Sequence, residues 1–301
     1  MQTLQFKTNG ENIILSDLGQ STINGEAVPI VLYSFDPNSI SVSADTVRCI
    51  GMLGQHTVST SVNPRTLMVT VTYNGIAEAV GERRFKDTEA AMYAFRRKLL
   101  KAFPLGTKGE LVYTNANGTY YLDAYVTEYP VIEKITGTLC KATLYLTADY
   151  PYWHQSVQEE TIELKAGGGW RVIPTLKGDL LSPLLFEVKC LEKITGVRTG
   201  EPYFTMWLDG ADNQEVRIVK PLEKNQSIVC STGLNNEVYA ELRSYYDNSD
   251  YYTPENGSNY VEFYFRRDPA LYPAYEYVFS AGGTGGKFLL DITYQNIFLA
   301  V

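Results

Sequence analysis

Strict alternation between two kinds of side chain is the pattern that most limits how this chain can fold. From Leu67 to Tyr73 the odd-numbered residues are Leu, Val or Tyr, and the even-numbered ones are Met or Thr. The segment from Cys140 to Leu146 alternates in the same way. Successive side chains of a β-strand point to opposite faces, so both segments are predicted strands with one buried face. The 23 tyrosines also favour half-buried β surface, and the predicted fold class is mainly β.

A turn signal joins two further predicted strands. The dipeptide Asn117-Gly118 lies inside the segment VYTNANGTYYLDAYV. Such a pair favours a two-residue type I′ turn, in which both residues have positive φ. We therefore predict a β-hairpin with Asn117 and Gly118 at its tip.

One segment, from Asp87 to Phe103, is predicted to be an amphipathic helix. It has no Gly or Pro and is rich in Ala, Leu, Lys and Arg, and Pro104 follows it. Asp87 is the predicted N-cap. The apolar face predicted to pack on a sheet comprises Met92, Phe95, Leu99 and Phe103.

The opposite face of this predicted helix is basic. Its cations are Arg96, Arg97, Lys98 and Lys101. Two interpretations remain open for them. They could bind an acidic partner, or they could be solvated side chains that complement the negative C-terminal end of the helix dipole.

Length and charge together predict two domains, residues 1–155 and residues 156–301. A chain of 301 residues is about twice the length of a typical domain. The first part has 13 basic and 14 acidic residues, whereas the second has 13 and 20. Short β runs such as LLFEVKC and VEFYFR recur in the second part at a spacing typical of a β-sandwich. The triplet Gly167 to Gly169 is predicted to be a turn or a short joint.

Composition excludes several classes of partner and site. The net charge of −8 argues against tight binding of nucleic acid, because counterion release needs clustered cations. No run of about 18 apolar residues exists, and the first residues lack a secretion-signal pattern, so we expect a soluble chain made in a cytoplasm, without membrane insertion. The widely spaced cysteines predict neither a zinc site nor a disulfide: Cys49, Cys140, Cys190 and Cys230.

Motifs for catalysis are weak, and we predict no catalytic, cofactor-binding or metal-binding residue. The only histidines, His56 and His154, lie in no recognisable nucleophile or metal motif. The segment SAGGTGGKF is not a phosphate loop, because Ala281 replaces a required Gly and Phe288 follows Lys287. We predict a glycine-rich β connection there. A glycosidase carboxylate pair stays open, since such pairs are defined by their separation in space.

A tyrosine cluster marks a predicted surface loop from Ser244 to Tyr260. Three interpretations remain open: a contact with another protein, a stacking platform for sugar rings beside Asp247 and Asp250, or a loop that is merely exposed. The cluster consists of Tyr245, Tyr246, Tyr251 and Tyr252.

The most distinctive segment is TLCKATLYLTADYPYWHQ, in which a predicted strand runs into Asp149, Tyr150, Pro151, Tyr152 and Trp153. It resembles the end of the N-terminal domain in the distal tail proteins of long-tailed bacteriophages, where a strand precedes a similar D-x-P-Y-W element. A V-x-x-x-G-x-x-G segment, the helix and the hairpin precede it in the order of that family. The resemblance covers about residues 1–155. From the residues alone, Pro151 ends the strand and the aromatic rings cover its edge.

The resemblance implies a fold and a function. Distal tail proteins are described as rings, usually hexameric, that join the tail tube to the baseplate or tip. Residues 1–155 are then expected to be a ring-forming β-sandwich with a helix, and residues 156–301 an outward β-sandwich with a galectin-like fold. The implied partners are further copies of the chain, the tail tube protein, a tail-tip hub or tail-associated lysin, and receptor-binding proteins or cell-surface glycans.

The function expected from the sequence is therefore that of a non-enzymatic structural protein in a phage tail or a tail-derived bacterial particle. Such a chain is made and assembled in the cytoplasm of the bacterial host and ends in the virion tail. Two alternatives remain open. One is a carbohydrate-binding module of a receptor-binding or glycan-processing system, and the other is a β-sandwich glycoside hydrolase.

Overall fold

A computed structural model describes residues 1–47, 56–74, 88–136, 138–172, 178–180, 182–209, 214–232, 238–244, 260–264 and 276–301. The chain forms two compact units. The first comprises residues 1–155 together with 299–301, and the second comprises residues 156–298. The described residues are mostly antiparallel strand, with one helix, and this confirms the mainly β fold class.

The first unit is built on one long antiparallel sheet. Its strands follow the order β4-β3-β2-β1-β9-β10-β11-β8-β5, and β12 also pairs with β10. Strands β6 and β7 pair with each other in a separate two-stranded sheet. The strand bounds are β1 Thr3–Lys7, β2 Asn12–Ser16, β3 Ser21–Ile23, β4 Glu26–Val28, β5 Ile30–Phe35, β6 Val42–Val47, β7 His56–Val62, β8 Arg65–Asn74, β9 Lys108–Asn115, β10 Gly118–Lys134, β11 Leu139–Ala148 and β12 Trp153–His154.

The alternating segments form the centre of this sheet, as predicted. The odd-numbered residues from Leu67 to Tyr73 are buried, and so are the even-numbered ones from Cys140 to Leu146. Thr70 is the exception, because it is buried on the other face. The sheet folds over on itself, since the ring of Phe35 on β5 lies 5.2 Å from the ring of Tyr113 on β9. The first unit is thus a β-sandwich.

The predicted helix is present and covers residues Thr88–Ala102, here called α1. Asp87, the predicted N-cap, lies outside the described residues. Phe103 follows the last helical residue, and its backbone N–H donates to the carbonyl of Leu99 at 3.1 Å. No helix in the described part of the chain is long and apolar enough to span a bilayer.

Aromatic side chains attach α1 to the sheet. The ring of Phe95 stacks on the ring of Tyr73 with centroids 3.9 Å apart, and the ring of Phe103 stacks on that of Phe6 at 5.8 Å. The Tyr73 hydroxyl donates to the carbonyl of Ala91. Met92 is only half-buried. The predicted apolar face is therefore confirmed at Phe95, Leu99 and Phe103, with Met92 at its rim.

The hairpin between β9 and β10 is present, but the predicted turn type is wrong. Asn115 pairs with Gly118, so the two loop residues are Ala116 and Asn117. Asn117 does not have a positive φ. The Asn115 side-chain carbonyl instead accepts hydrogen bonds from the backbone N–H groups of Asn117 and Gly118, at 2.8 and 3.2 Å. This side-chain cap closes the turn without the left-handed pair that a type I′ turn requires.

The second unit is a sandwich of two five-stranded antiparallel sheets. Their orders are β13-β22-β15-β18-β19 and β14-β21-β16-β17-β20. The strand bounds are β13 Gln158–Lys165, β14 Trp170–Val172, β15 Leu184–Thr195, β16 Phe204–Leu208, β17 Glu215–Ile218, β18 Gln226–Thr232, β19 Val238–Ser244, β20 Val261–Tyr264, β21 Tyr277–Ala281 and β22 Gly285–Tyr294. A further strand, β23 Ile297–Phe298, belongs to neither of these two sheets.

Phenylalanine rings fill the space between these two sheets. Phe186 of one sheet contacts Phe204 and Phe279 of the other, with ring centroids 6.1 and 5.8 Å apart. Phe204 also contacts Phe288 at 6.3 Å. All four rings are fully buried. Such rings account for much of the apolar area that stabilises the sandwich.

Glycine-rich segments pass the chain from one sheet of the second unit to the other. The triplet from Gly167 to Gly169 is a turn between β13 and β14, within the second unit. The SAGGTGGKF segment joins β21 to β22, which confirms the predicted β connection. The described cysteines, Cys140, Cys190 and Cys230, are free and buried, and burial raises the pKa of each thiol. Cys49 lies outside the described residues.

Gly286→Ala is expected to destabilise the second unit by about 3 kcal/mol, combining an unfavourable φ with a displaced backbone. Gly286 has a φ of +99°, and an added Cβ would lie 2.4 Å from the carbonyl oxygen of Lys193. Gly200→Ala is the matched control, because Gly200 has a φ of +87° with no atom within 4 Å of that position. Urea unfolding of both variants measures the difference. Equal losses would contradict the close approach at Gly286.

Candidate assembly surfaces

Trp153 is the centre of a buried cluster in the first unit. It is fully buried, and its indole N–H donates to the carbonyl of Pro37 at 2.8 Å. The rings of Phe35 and Tyr113 lie 6.3 and 6.1 Å from the indole. The guanidinium carbon of Arg65 lies 6.0 Å from the ring centroid. This arrangement, here called the Trp153 cluster, holds the chain in place after β11 ends.

Arg65 is the charged member of the Trp153 cluster. It is fully buried, and its guanidinium donates to the carbonyls of Pro37 and Leu299, the latter at 2.8 Å. Burial lowers the pKa of Arg65 to about 10, while the nearby Asp36 opposes that shift. The group therefore stays protonated at neutral pH. The backbone N–H of Val301 also donates to the side chain of Asn38, so residues 299–301 are bonded to the first unit at two points.

The other residues of the distal-tail-like element lie around Trp153. Pro151 and Tyr152 are buried, and the ring of Tyr152 meets the partly exposed ring of Tyr150 edge-on at 5.0 Å. Asp149 is exposed and accepts a hydrogen bond from the Tyr125 hydroxyl at 3.2 Å. This bond raises the pKa of Tyr125, which keeps the hydroxyl protonated at neutral pH. The element thus has a buried half, Pro151 to Trp153, and an exposed half, Asp149 and Tyr150.

The exposed half lines a groove of about 640 Å³ across β1, β9 and β10, here called the β9–β10 groove. Three carboxylates and two ammonium groups line it. Asp123 and Glu110 lie directly opposite each other on β10 and β9, and Lys7 pairs with Glu110 at 3.4 Å from the other side. The charged and aromatic lining residues are Lys7, Lys108, Glu110, Asp123, Tyr125, Asp149 and Tyr150.

Besides the β9–β10 groove, the outer side of α1 forms a charged surface, here called the α1 surface. It consists of Tyr93, Arg96, Arg97 and Lys101. All four side chains are exposed, which confirms the predicted basic face. Lys98 differs from its neighbours, because it is half-buried and pairs with Glu26 at 3.0 Å. Arg96 and Lys134 also line a pocket of about 170 Å³ whose remaining walls are Met92, Tyr93, Ile132 and Cys140.

The other candidate residues give no site. Tyr245, Tyr246, Tyr251 and Tyr252 lie outside the described residues, so the loop that contains them remains a prediction. The ring of His154 stacks on that of Tyr121 at 5.9 Å. Within the described ranges, no group of three His, Cys, Asp or Glu side chains could hold a metal ion.

Sequence reasoning missed two of these features. Arg65 follows Pro64 at the start of an alternating strand, and no motif marks it as a buried cation. The β9–β10 groove depends on the register of three strands, which brings Lys7, Glu110 and Asp123 into one row. The spacing of 103 residues between Lys7 and Glu110 contains no local signal for that contact.

Comparison with known proteins identifies the fold. No protein-family model matches the sequence, and no curated protein is significantly similar to it. The chain is similar to the solved structure of the SPP1 Dit (gp 19.1) protein, described as a paradigm of the hub adsorption apparatus in phages that infect Gram-positive bacteria. The TM-score is 0.54 at 11% identity over 99% of both chains. It also aligns with a chain of the phage p2 baseplate in its activated conformation, at 10% identity over 100% of both chains and a TM-score of 0.36.

The similarity to SPP1 Dit extends over both units and shows a common fold. It confirms, at the level of the fold, the resemblance to distal tail proteins that the Asp149–Trp153 element indicates. In the sequence the resemblance covers about residues 1–155, and the similarity of the fold also includes residues 156–301.

Proposed function

We propose that this chain is a non-enzymatic structural protein of a phage tail tip or baseplate, or of a tail-derived bacterial particle. Six copies form a ring that joins the tail tube to the host-recognition apparatus. The observation that carries this proposal is the similarity to SPP1 Dit over 99% of both chains, which includes both units and not merely a common sandwich.

The two units have different roles in this proposal. The first unit builds the ring, and the second projects outward as a galectin-like sandwich towards receptor-binding proteins or cell-surface glycans. The ring contacts the tail tube protein on one side and a tail-tip hub or tail-associated lysin on the other. The virion tail is its final location.

Exposed features of the first unit support its role in self-association. Its long sheet ends at two edge strands, β4 and β5. Edge strands present unpaired backbone groups that proteins usually cover. Large apolar side chains are also exposed on the outer sides of β5, β8 and β10, where Tyr33 is 67%, Met68 53% and Val131 45% exposed. Exposed apolar area of this kind is typical of a protein interface.

Light scattering on the full chain at several concentrations tests the proposal. A hexamer has six times the chain mass of 33.8 kDa, or about 203 kDa. We expect that mass at high concentration, with smaller species on dilution. A mass equal to that of one chain at every concentration would reject the ring.

A further inference from the structure

We infer that the α1 surface of one copy docks into the β9–β10 groove of the next copy. This inference rests on the proposed self-association and assigns the two surfaces that make it. The α1 surface supplies arginine side chains, and the groove supplies carboxylates and tyrosine rings. The occupant of each surface is thus a second copy of the same chain.

The two arginines of the α1 surface have no ion pair among the described residues, whereas Lys101 lines a pocket with Glu11 and Glu26. No hydrogen bond or ion pair holds Arg96, Arg97 or Lys101 to another side chain in the part of the chain that the structure describes. Lys98, which directly follows Arg97 in the helix, pairs with Glu26. Beside Arg96 and Lys134, the pocket of about 170 Å³ has apolar walls. The surface therefore offers positive charge next to apolar area, a combination found at protein interfaces.

The groove carries net negative charge, since three carboxylates and two ammonium groups line it. Like charges directly opposite each other on neighbouring strands are destabilising, and Asp123 faces Glu110 in this way. Lys7 pairs with Glu110, and no ion pair joins Asp123 to a cation among the described residues. Asp149 accepts only the neutral hydroxyl of Tyr125 in the described chain. A cation from outside would relieve the repulsion at Asp123.

The chemistry of the groove suits arginine. A guanidinium group forms paired hydrogen bonds with carboxylates and also stacks on aromatic rings. The groove presents carboxylates at Asp123 and Asp149 and rings at Tyr125 and Tyr150 in the same space. Stacking of a guanidinium on a tyrosine ring adds a cation–π attraction to the ion pair.

The geometry of β10 separates the Arg96 end of the α1 surface from the groove within one copy. Asp123 lines the groove and Lys134 lines the pocket beside α1, and both lie on β10. Eleven residues of strand separate them, which corresponds to on the order of 30 Å. Opposite charges at that distance are screened, because the Debye length at physiological salt is about 8 Å. A neighbouring copy is therefore needed to bring Arg96 to the groove.

A contact between two different surfaces is a head-to-tail contact. Repetition of such a contact gives either a closed ring or an open filament. The inferred pairing is therefore of the kind that the proposed ring requires. A two-fold dimer, in which the same surface meets itself, would place arginines against arginines.

Charge reversal on the full chain tests the pairing. The first variant carries Arg96→Glu and Arg97→Glu, and the second carries Asp123→Lys and Asp149→Lys. Each alone places like charges against each other, so we expect each to raise the concentration for half-assembly by about 100-fold or more. An equal mixture of the two is expected to assemble almost as well as the wild type. In the mixture the two variants alternate around the ring, so that every contact joins opposite charges. Such alternation is possible in any ring with an even number of copies.

The control is Arg198→Glu with Lys224→Glu, because both side chains are exposed in the second unit and the change in net charge equals that of the first variant. It is expected to assemble like the wild type. A wild-type chain that never assembles would reject the proposed function and this inference with it. Normal assembly of both variants would reject only the pairing. Failure of the mixture to restore assembly would also reject it, since misfolding or an unrelated contact would then explain the loss.

Discussion

Trp153→Ala is expected to lower the free energy of unfolding of the first unit by about 4 kcal/mol or more. Large-to-small changes at buried aromatic residues cost about 3–5 kcal/mol, because they remove apolar contacts and leave a cavity. The Trp153 cluster adds two further losses. The carbonyl of Pro37 loses the indole N–H, and the buried guanidinium of Arg65 loses the ring beside it.

The measurement is urea unfolding followed by far-UV circular dichroism, with Trp153→Phe as the conservative variant. Phenylalanine keeps most of the apolar volume but has no N–H donor. The carbonyl of Pro37 still accepts from Arg65, so we expect a smaller loss of about 1–2 kcal/mol. If the alanine variant unfolds at the wild-type midpoint, Trp153 does not hold the chain as the cluster indicates.

Phe95→Ala is expected to lower the free energy of unfolding of the same unit by about 3–4 kcal/mol. Phe95 is 4% exposed and stacks on Tyr73, whose hydroxyl in turn donates to the helix backbone at Ala91. An isolated helix of 15 residues is marginal in water, so α1 depends on this packing. Loss of the ring therefore weakens the attachment of the whole helix.

Tryptophan emission reports this transition when Trp170 and Trp207 are replaced by Phe, because Trp153 is then the remaining tryptophan and lies in the first unit. Tyr129→Ala is the control, since the Tyr129 side chain is 59% exposed on β10, and its loss should stay within about 0.5 kcal/mol. Similar midpoints for the Phe95 and Tyr129 variants would show that α1 does not pack through Phe95.

Local patterns predicted the elements whose residues contact their own neighbours along the chain. The alternation from Leu67 to Tyr73 predicted β8 and its buried face, because a strand period of two is fixed by backbone geometry. The composition from Asp87 to Phe103 predicts a helix, and the structure has α1 at Thr88–Ala102, since helix propensity and amphipathicity act within a few turns. The hairpin was predicted at the correct place with the wrong turn, because the Asn115 side chain competes with the type I′ geometry.

Contacts between distant residues were not predictable in this way. Arg65 bonds to Leu299 across 234 residues, and Asp123 meets Glu110 only through the register of β9 and β10. Tertiary register, not local propensity, decides these pairs. The Asp149–Trp153 element shows both cases. Its resemblance to distal tail proteins was visible in the sequence, but its division into a buried half and a groove-lining half required the structure.

Negative-stain imaging of the purified full chain tests the central claim most directly. Mass alone does not separate a ring from a compact cluster, whereas an image shows the arrangement of the copies. We expect rings with a central hole and six repeated units, and we expect such rings to be rare in the Arg96→Glu/Arg97→Glu variant. Particles with the dimensions of one chain and no rings, in samples taken from the highest concentration used for light scattering, would contradict the claim that this protein is a ring component of a phage tail.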